Sequence, residues 1–252
     1  LYTVTKNNGT RRTGILFKQE DSNLAPTIYL EEFYQKYLKG QQVADLADSI
    51  CSIYQEIRVK KTCDCQNLFD FNHVKEHIVY KLIRRDANEE LLKKIPYEPF
   101  LDLAVVYYIQ IDNTRFGSAA IQIRNEHLRY WRVEKEEIRR LAEKNTPRIY
   151  PVQIRQIVRF MYVATNEQCS LGAAVMRYPD FREKVRGMIR GDFYNLPSSI
   201  HEVILVPESF GLEPERMQEM VKEINQTGVA PEEVLSDSVY YFDGEEIRIV
   251  AK

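Results

Sequence analysis

Asn195-Leu-Pro-Ser-Ser-Ile-His-Glu-Val-Ile-Leu-Val-Pro207 is the stretch on which the fold turns. Its apolar run, residues 203–206, shows no polar alternation and is bounded by prolines. That is the pattern of a strand covered on both faces. The polar residues before it, Asn195, Ser198, Ser199 and His201, stand where a fold often places a site. They also suit the capping of loose backbone groups at the start of a strand.

Working outward from this run, strands come in pairs separated by helices. Asn8-Gly9 lies between β-rich runs at 2–5 and 13–18, and Asp243-Gly244 joins 239–242 to 247–250; both dipeptides are hairpin signals. Residues 101–111, rich in Val, Tyr and Ile, read as a buried strand. Asp112-Asn113 opens a turn from it to a partner at 118–123. A further strand pair is expected at 161–165 and 172–177, with single strands at 26–30, 78–83 and 193–196. Helices are expected at 31–39, stopped by Gly40, and at 43–57, where Val43, Leu46, Ala47, Ile50, Ile53, Tyr54 and Ile57 share one face. A short helix follows at 70–77, and another at 87–94 ends before Pro96. Asn125 caps a helix to Trp131, and Glu136 and Arg140 stand at i,i+4 in a helix at 134–144. Helices at 180–188 and from Pro214 complete the set, the last with Met217, Met220, Val221 and Ile224 in register. The fold class is therefore α+β, with antiparallel strand pairs and hairpins packed against amphipathic helices and no doubly wound parallel sheet. Residues 1–252 read as one domain, divisible into an N-terminal lobe at 1–98 and a C-terminal lobe at 99–252.

One junction reads badly. Residues 151–158 are helix-like and a strand begins at once, with no Gly, Pro or Asn between; such connections take ~2–6 residues. Omitted residues are expected near Val158–Arg159. They are expected before Leu1 as well, because the chain starts without Met.

Composition narrows the function classes. A net charge of −2 gives no basic footprint for nucleic acid. No apolar run approaches the ~20 residues of a membrane span, and no signal peptide is visible. Four cysteines at this length form no disulfide framework, which points to a reducing cytoplasm.

Three constellations carry chemistry. His73-Val-Lys-Glu76-His77 has the spacing of two zinc ligands and a base, with Cys63 and Cys65 close by in sequence. The competing reading is a short polar helix face, and no metal or cofactor is expected. Ser198, Ser199 and His201 offer a nucleophile and a base but lack a nucleophile elbow and an orienting acid. Asp102 lies in an apolar run, where a carboxylate needs a partner; Lys81, Arg84 and Arg148 are the candidates.

The motifs Lys6-Asn-Asn-Gly9, Leu101-Asp-Leu-Ala-Val-Val106, Asn145-Thr-Pro-Arg148, the opening stretch and Val229-Ala-Pro-Glu-Glu-Val-Leu-Ser-Asp237 resemble a domain-of-unknown-function family of gut clostridia. Asp102-Leu-Ala-Val-Val-Tyr107, Trp131-Arg-Val-Glu134 and Gly228-Val-Ala-Pro231 are more distantly similar to the YtpQ-like family of Firmicutes. The resemblance implies a bacterial cytoplasmic protein and supplies no catalytic residue. Histidines at 73 and 77 are not part of the family's pattern, which argues against zinc. The resulting expectation is a non-catalytic binding or interaction protein, its partner a protein or a small ligand. The alternative is a hydrolase-type enzyme with a polar cleft near Asp102, Arg148, Ser199 and His201.

Overall fold

The computed structural model of the protein describes residues 1–17, 27–57, 70–114, 117–243 and 246–252. Strands β1 (Tyr2–Thr5), β2 (Arg11–Leu16) and β3 (Thr27–Tyr29) precede helices α1 (Glu31–Leu38) and α2 (Val43–Ile57). A short helix α3 (Phe71–Val74) leads through the 3-10 turn Lys75–His77 into β4 (Ile78–Arg84). Then come α4 (Glu89–Leu92), β5 (Tyr97–Phe100), β6 (Leu103–Thr114) and β7 (Gly117–Gln122). The chain continues with α5 (Asn125–Trp131), α6 (Lys135–Ile149), β8 (Val152–Val158) and β9 (Met161–Asn166). It closes with α7 (Phe181–Ile189), β10 (Phe193–Leu196), β11 (Val203–Pro207), α8 (Pro214–Thr227), β12 (Val239–Phe242) and β13 (Ile247–Ala251).

Every pairing among these strands is antiparallel, as the α+β class requires. The sheets are β1-β2-β3, then β4-β6-β5 with β7 also on β6, and a larger one in the order β13-β12-β10-β11-β9-β8. The apolar run at 203–206 is thus an inner strand of the largest sheet. One hydrophobic core joins the two larger sheets. From β4 it takes Ile78, Tyr80 and Leu82, and from β6 Leu103, Val105, Tyr107 and Ile109. Helices α6 and α7 add Ile138, Leu141, Phe181 and Val185, and Phe193 and Phe242 stack at 4.8 Å. These positions alternate along each strand, as a period of two demands.

β6 is buried on its other face too: every residue from Leu103 to Gln110 is buried. There Ile83, Ala104 and Val106 meet Leu92 and Ile95, and Val79 and Tyr108 meet Tyr150. This second layer is thinner, and it positions the site described below.

Several expectations fail for identifiable reasons. Residues 152–158 form a strand rather than a helix. Val152 and Ile154 turn partly inward while Gln153 and Arg155 face solvent, a two-residue period. Val158 pairs with Met161, so Arg159 and Phe160 make the turn from β8 to β9. The turn needs no Gly because Phe160 itself adopts φ 66°, its ring 5.5 Å from that of Phe210. Residues Gly172–Arg177 are a 3-10 helix, not a strand, and β9 pairs with β8 and β11 instead. A Cβ on Gly172 would stand 2.4 Å from the His201 carbonyl oxygen, so only Gly lets this buried segment approach so closely.

Asp102 lies in a two-residue turn between β5 and β6, with Leu101 at φ 56°, and not inside the strand. β5 itself was not expected, and β6 runs through Asp112-Asn113 to Thr114 where a turn was. Helix α6 continues through Asn145-Thr-Pro-Arg148, where a cap and a stop were expected. Pro147 sits in the last turn, where it forfeits one helix bond, and the buried Asn145 and Thr146 bind outward to the strand before them. Asn145 Nδ2 donates to the carbonyls of Lys75 at 2.8 Å and Ile78 at 3.1 Å. The Thr146 hydroxyl accepts from the Tyr80 amide at 3.1 Å. Asn125 is the first residue of α5 and not its cap; the Arg124 amide donates to His127 Nδ1 at 3.2 Å. Arg140 pairs with Glu137 at 2.7 Å rather than with Glu136.

Candidate functional site

The structure disperses the residues that the sequence singles out. His73 and His77 are exposed on the short helical segment before β4. Cys63 and Cys65 lie outside the described residues. Among the described residues no group of three or more His, Cys, Asp or Glu side chains stands close enough to hold a metal ion. Glu76 faces Arg148, whose guanidinium donates to the Glu76 carbonyl at 2.9 Å and lies 3.9 Å from its carboxylate.

Ser198, Ser199 and His201 are bound into a local frame. The Ser198 carbonyl accepts from the Leu235 amide at 2.9 Å, and Ser199 forms an isolated bridge with Val234. The Ser199 hydroxyl accepts from the His201 amide at 3.1 Å. Both imidazole nitrogens are taken: Nδ1 accepts from the Leu171 amide at 3.3 Å, and Nε2 faces Glu233 at 3.2 Å. With Nδ1 accepting and Nε2 donating, this imidazole is not aimed at either serine as a base.

Among the described residues Asp102 has no cationic partner. Its carboxylate accepts from the hydroxyls of Ser236 at 2.6 Å and Ser238 at 2.9 Å, and from Tyr240. Burial first, and then the neighbouring Asp102, hold the Tyr240 phenol well above its usual value. Arg84, one expected partner, binds Asp86 and Asp237 instead, both at 2.8 Å. Asp102, Arg148 and the serine–histidine group therefore share no hydrogen bond.

A cavity of about 750 Å³ lies on the thinner face of the β4-β6 sheet. Its floor is Lys81 and Ile83 of β4. Its walls are Thr5, Lys6, Asn7 and Gly9 at the tip of the first hairpin, residues 86–91 with Lys94 and Ile95 around α4, and Gln122 with Arg124 at the end of β7. The alternation that sends Tyr80 and Leu82 into the main core turns Lys81 the other way, between Val79 and Ile83. Its register partner is Val106, and its amine lies 5.8 Å from the Tyr108 ring centroid. No carboxylate among the described residues pairs with it. Burial, and then the nearby Lys6, push the Lys81 amine below its ordinary value.

The hairpin wall is held by amides. Asn8 takes φ 57° and Gly9 φ 69°, the left-handed geometry that Asn and Gly tolerate. The Asn8 amide donates to Asn88 Oδ1 at 3.0 Å, and Asn88 Nδ2 donates back to Asn8 Oδ1 at 2.9 Å. Asn8 Nδ2 also donates to the carbonyls of Pro231 at 2.9 Å and Val234 at 2.7 Å. Arg12 pairs with Glu232 beside it. The wall thus has its conformation fixed in advance.

Reading the sequence missed this site. The sequence presents Lys81 as a partner for Asp102. The available signal was a lysine inside the run Ile78-Val-Tyr-Lys-Leu-Ile83, where a charge must find a partner, water or a ligand.

Fold and site together define an antiparallel α+β protein with a preformed small-molecule-sized cavity and a cation on its floor. The chain belongs to DUF5688, a family of unknown function; the family profile matches residues 1–161 and 158–244. The two matched stretches meet at the turn between β8 and β9. No curated protein and no solved structure matches the chain. Among the described residues no helix is long and apolar enough to cross a membrane.

Proposed function

We propose that this is a non-catalytic binding protein that takes a small ligand into the cavity above β4. One observation carries the reading: Lys81 sits deep in a preformed cavity with no carboxylate partner among the described residues. An unpaired charge so placed costs folding energy, and a ligand that meets the charge accounts for its presence. The volume falls within the roughly 300–1,000 Å³ of small-molecule sites. The commitment of both His201 nitrogens weighs against the hydrolase alternative. A bacterial cytoplasmic location is part of the proposal, supported by Cys51 and Cys169, which are free and exposed.

The test is a screen of several hundred small organic molecules against the whole chain, read by amide chemical shifts. Binding should move Thr5, Asn7, Lys81 and Ile95 together. Ala87→Trp, which fills the cavity from its wall, should abolish those shifts while leaving the thermal midpoint in place. A screen in which nothing moves these residues, or in which shifts persist in Ala87→Trp, overturns the proposal.

A further inference from the structure

We infer that the ligand is a small monocarboxylic acid, seated with its carboxylate on Lys81 and its apolar body against Ile83, Leu91 and Ile95. The inference rests on the cavity being the binding site and names the chemistry that it selects. The cavity lining holds four cationic side chains, Lys6, Lys81, Lys94 and Arg124, and three acidic ones, Asp86, Glu89 and Glu90.

These charges are not equally free. Asp86 is committed to Arg84 and Glu90 to Lys93. The Lys6 amine sits 4.3 Å above the Tyr29 ring centroid. Lys94 and Arg124 are exposed. Lys81 alone combines depth with the lack of an anionic partner among the described residues. The one buried cation of the lining, Lys81, is matched by one negative charge, which a carboxylate supplies. A dianionic phosphate would bring a second negative charge to a site with one buried cation, beside the acidic Glu89 of the wall. Among the described lining residues it would also find one glycine, Gly9, and no glycine-rich loop of amides to cradle it.

The apolar half of the argument is the floor beside Lys81. Ile83 and Ile95 are buried and belong to one small cluster, with Leu91 against it. A ligand body there packs against the half-buried Leu91 at the edge of this cluster, and its acid group lies one side chain from Ile83 along β4. Burial strengthens a charged hydrogen bond of this kind relative to the same contact in water.

The test uses matched pairs on the full chain: butanoate, hexanoate and benzoate against their neutral amides, with inorganic phosphate as a third arm. The readout is the Lys81 side-chain ¹³Cε resonance in lysine-labelled protein, assigned by its loss in Lys81→Met. Hexanoate should shift that resonance saturably and bind about tenfold or more tightly than hexanamide, the discrimination expected of one charged hydrogen bond. Lys81→Met should abolish the discrimination, with Lys81→Gln as the second variant if the first does not fold. Equal binding of acid and amide in the cavity overturns the carboxylate assignment and leaves the binding proposal standing. Phosphate that matches hexanoate at Lys81 overturns it in favour of a phosphorylated ligand. Acids that fail to move Lys81 overturn it as well. The binding proposal falls with it only when the wider screen also leaves the cavity untouched.

Discussion

The two faces of β4 solve different problems with the same seven residues. On one face Ile78, Tyr80 and Leu82 are sealed into the core shared by the two larger sheets. On the other, Val79 and Ile83 belong to smaller clusters, and between them Lys81 opens onto a cavity. A strand optimised for stability alone would carry an aliphatic residue at 81. The difference locates where this fold accepts a cost, and such places are where function is to be sought.

The largest effect should come from the sealed face. Leu82→Ala removes a fully buried side chain and should cost about 3 kcal/mol by denaturant titration. A cost under about 1 kcal/mol would mean that the two faces do not differ as described.

A middling effect is expected from the amides that hold the cavity wall. Asn88→Ala breaks the reciprocal bonds with Asn8 and the 2.7 Å bond to the Arg84 carbonyl, in a buried setting. It should cost about 2 kcal/mol and raise hydrogen exchange at Asn7 to Gly9 more than in β6. Uniform exchange acceleration would dissolve the distinction between wall and floor.

The smallest effect is also the sharpest, because its sign is reversed. Lys81→Met should stabilise the unliganded protein by about 1 kcal/mol at pH 7. The folded protein holds the Lys81 proton less tightly than the unfolded chain does. Between the folded value and about 10.4, the ordinary lysine value, the unfolded chain binds more protons, so wild-type stability rises with pH across that window. The advantage of Lys81→Met should therefore be full below the window and fade as pH climbs through it. A gain that is the same at pH 7 and pH 10.5 would show that desolvation of the charge is not its source.

What was legible in the sequence was local. Asn8-Gly9 and Asp243-Gly244 announce their hairpins in two residues, and α2 and α8 announce themselves through apolar spacing. The mixed antiparallel class follows from that alternation. Where the reading failed, distant residues decided. Val152 to Val158 is a strand because β9 is free to pair with it, and Gly172 to Arg177 is not one because β11 already holds the other side of β9. Asp102 is satisfied by hydroxyls more than 130 residues away, which no local pattern could supply. Lys81 was visible as a charge in an apolar strand, but whether it meets a carboxylate or a cavity depends on what covers β4.

The amide knot at the first hairpin has a consequence for the order of events in time. Asn8 is tied to Pro231 and Val234, and Asn7 Nδ2 donates to the Glu232 carbonyl at 2.7 Å. A stretch near residue 8 is therefore secured by one more than 220 residues later in the chain. Contacts so far apart in sequence close late, after the loop-closure cost has been met. The floor at β4 can form while the chain is still emerging, but its wall waits for the residues near 232. A ribosome-bound chain cut short of them carries Lys81 without a finished cavity, so competence to bind arrives only once residues 231–234 have emerged.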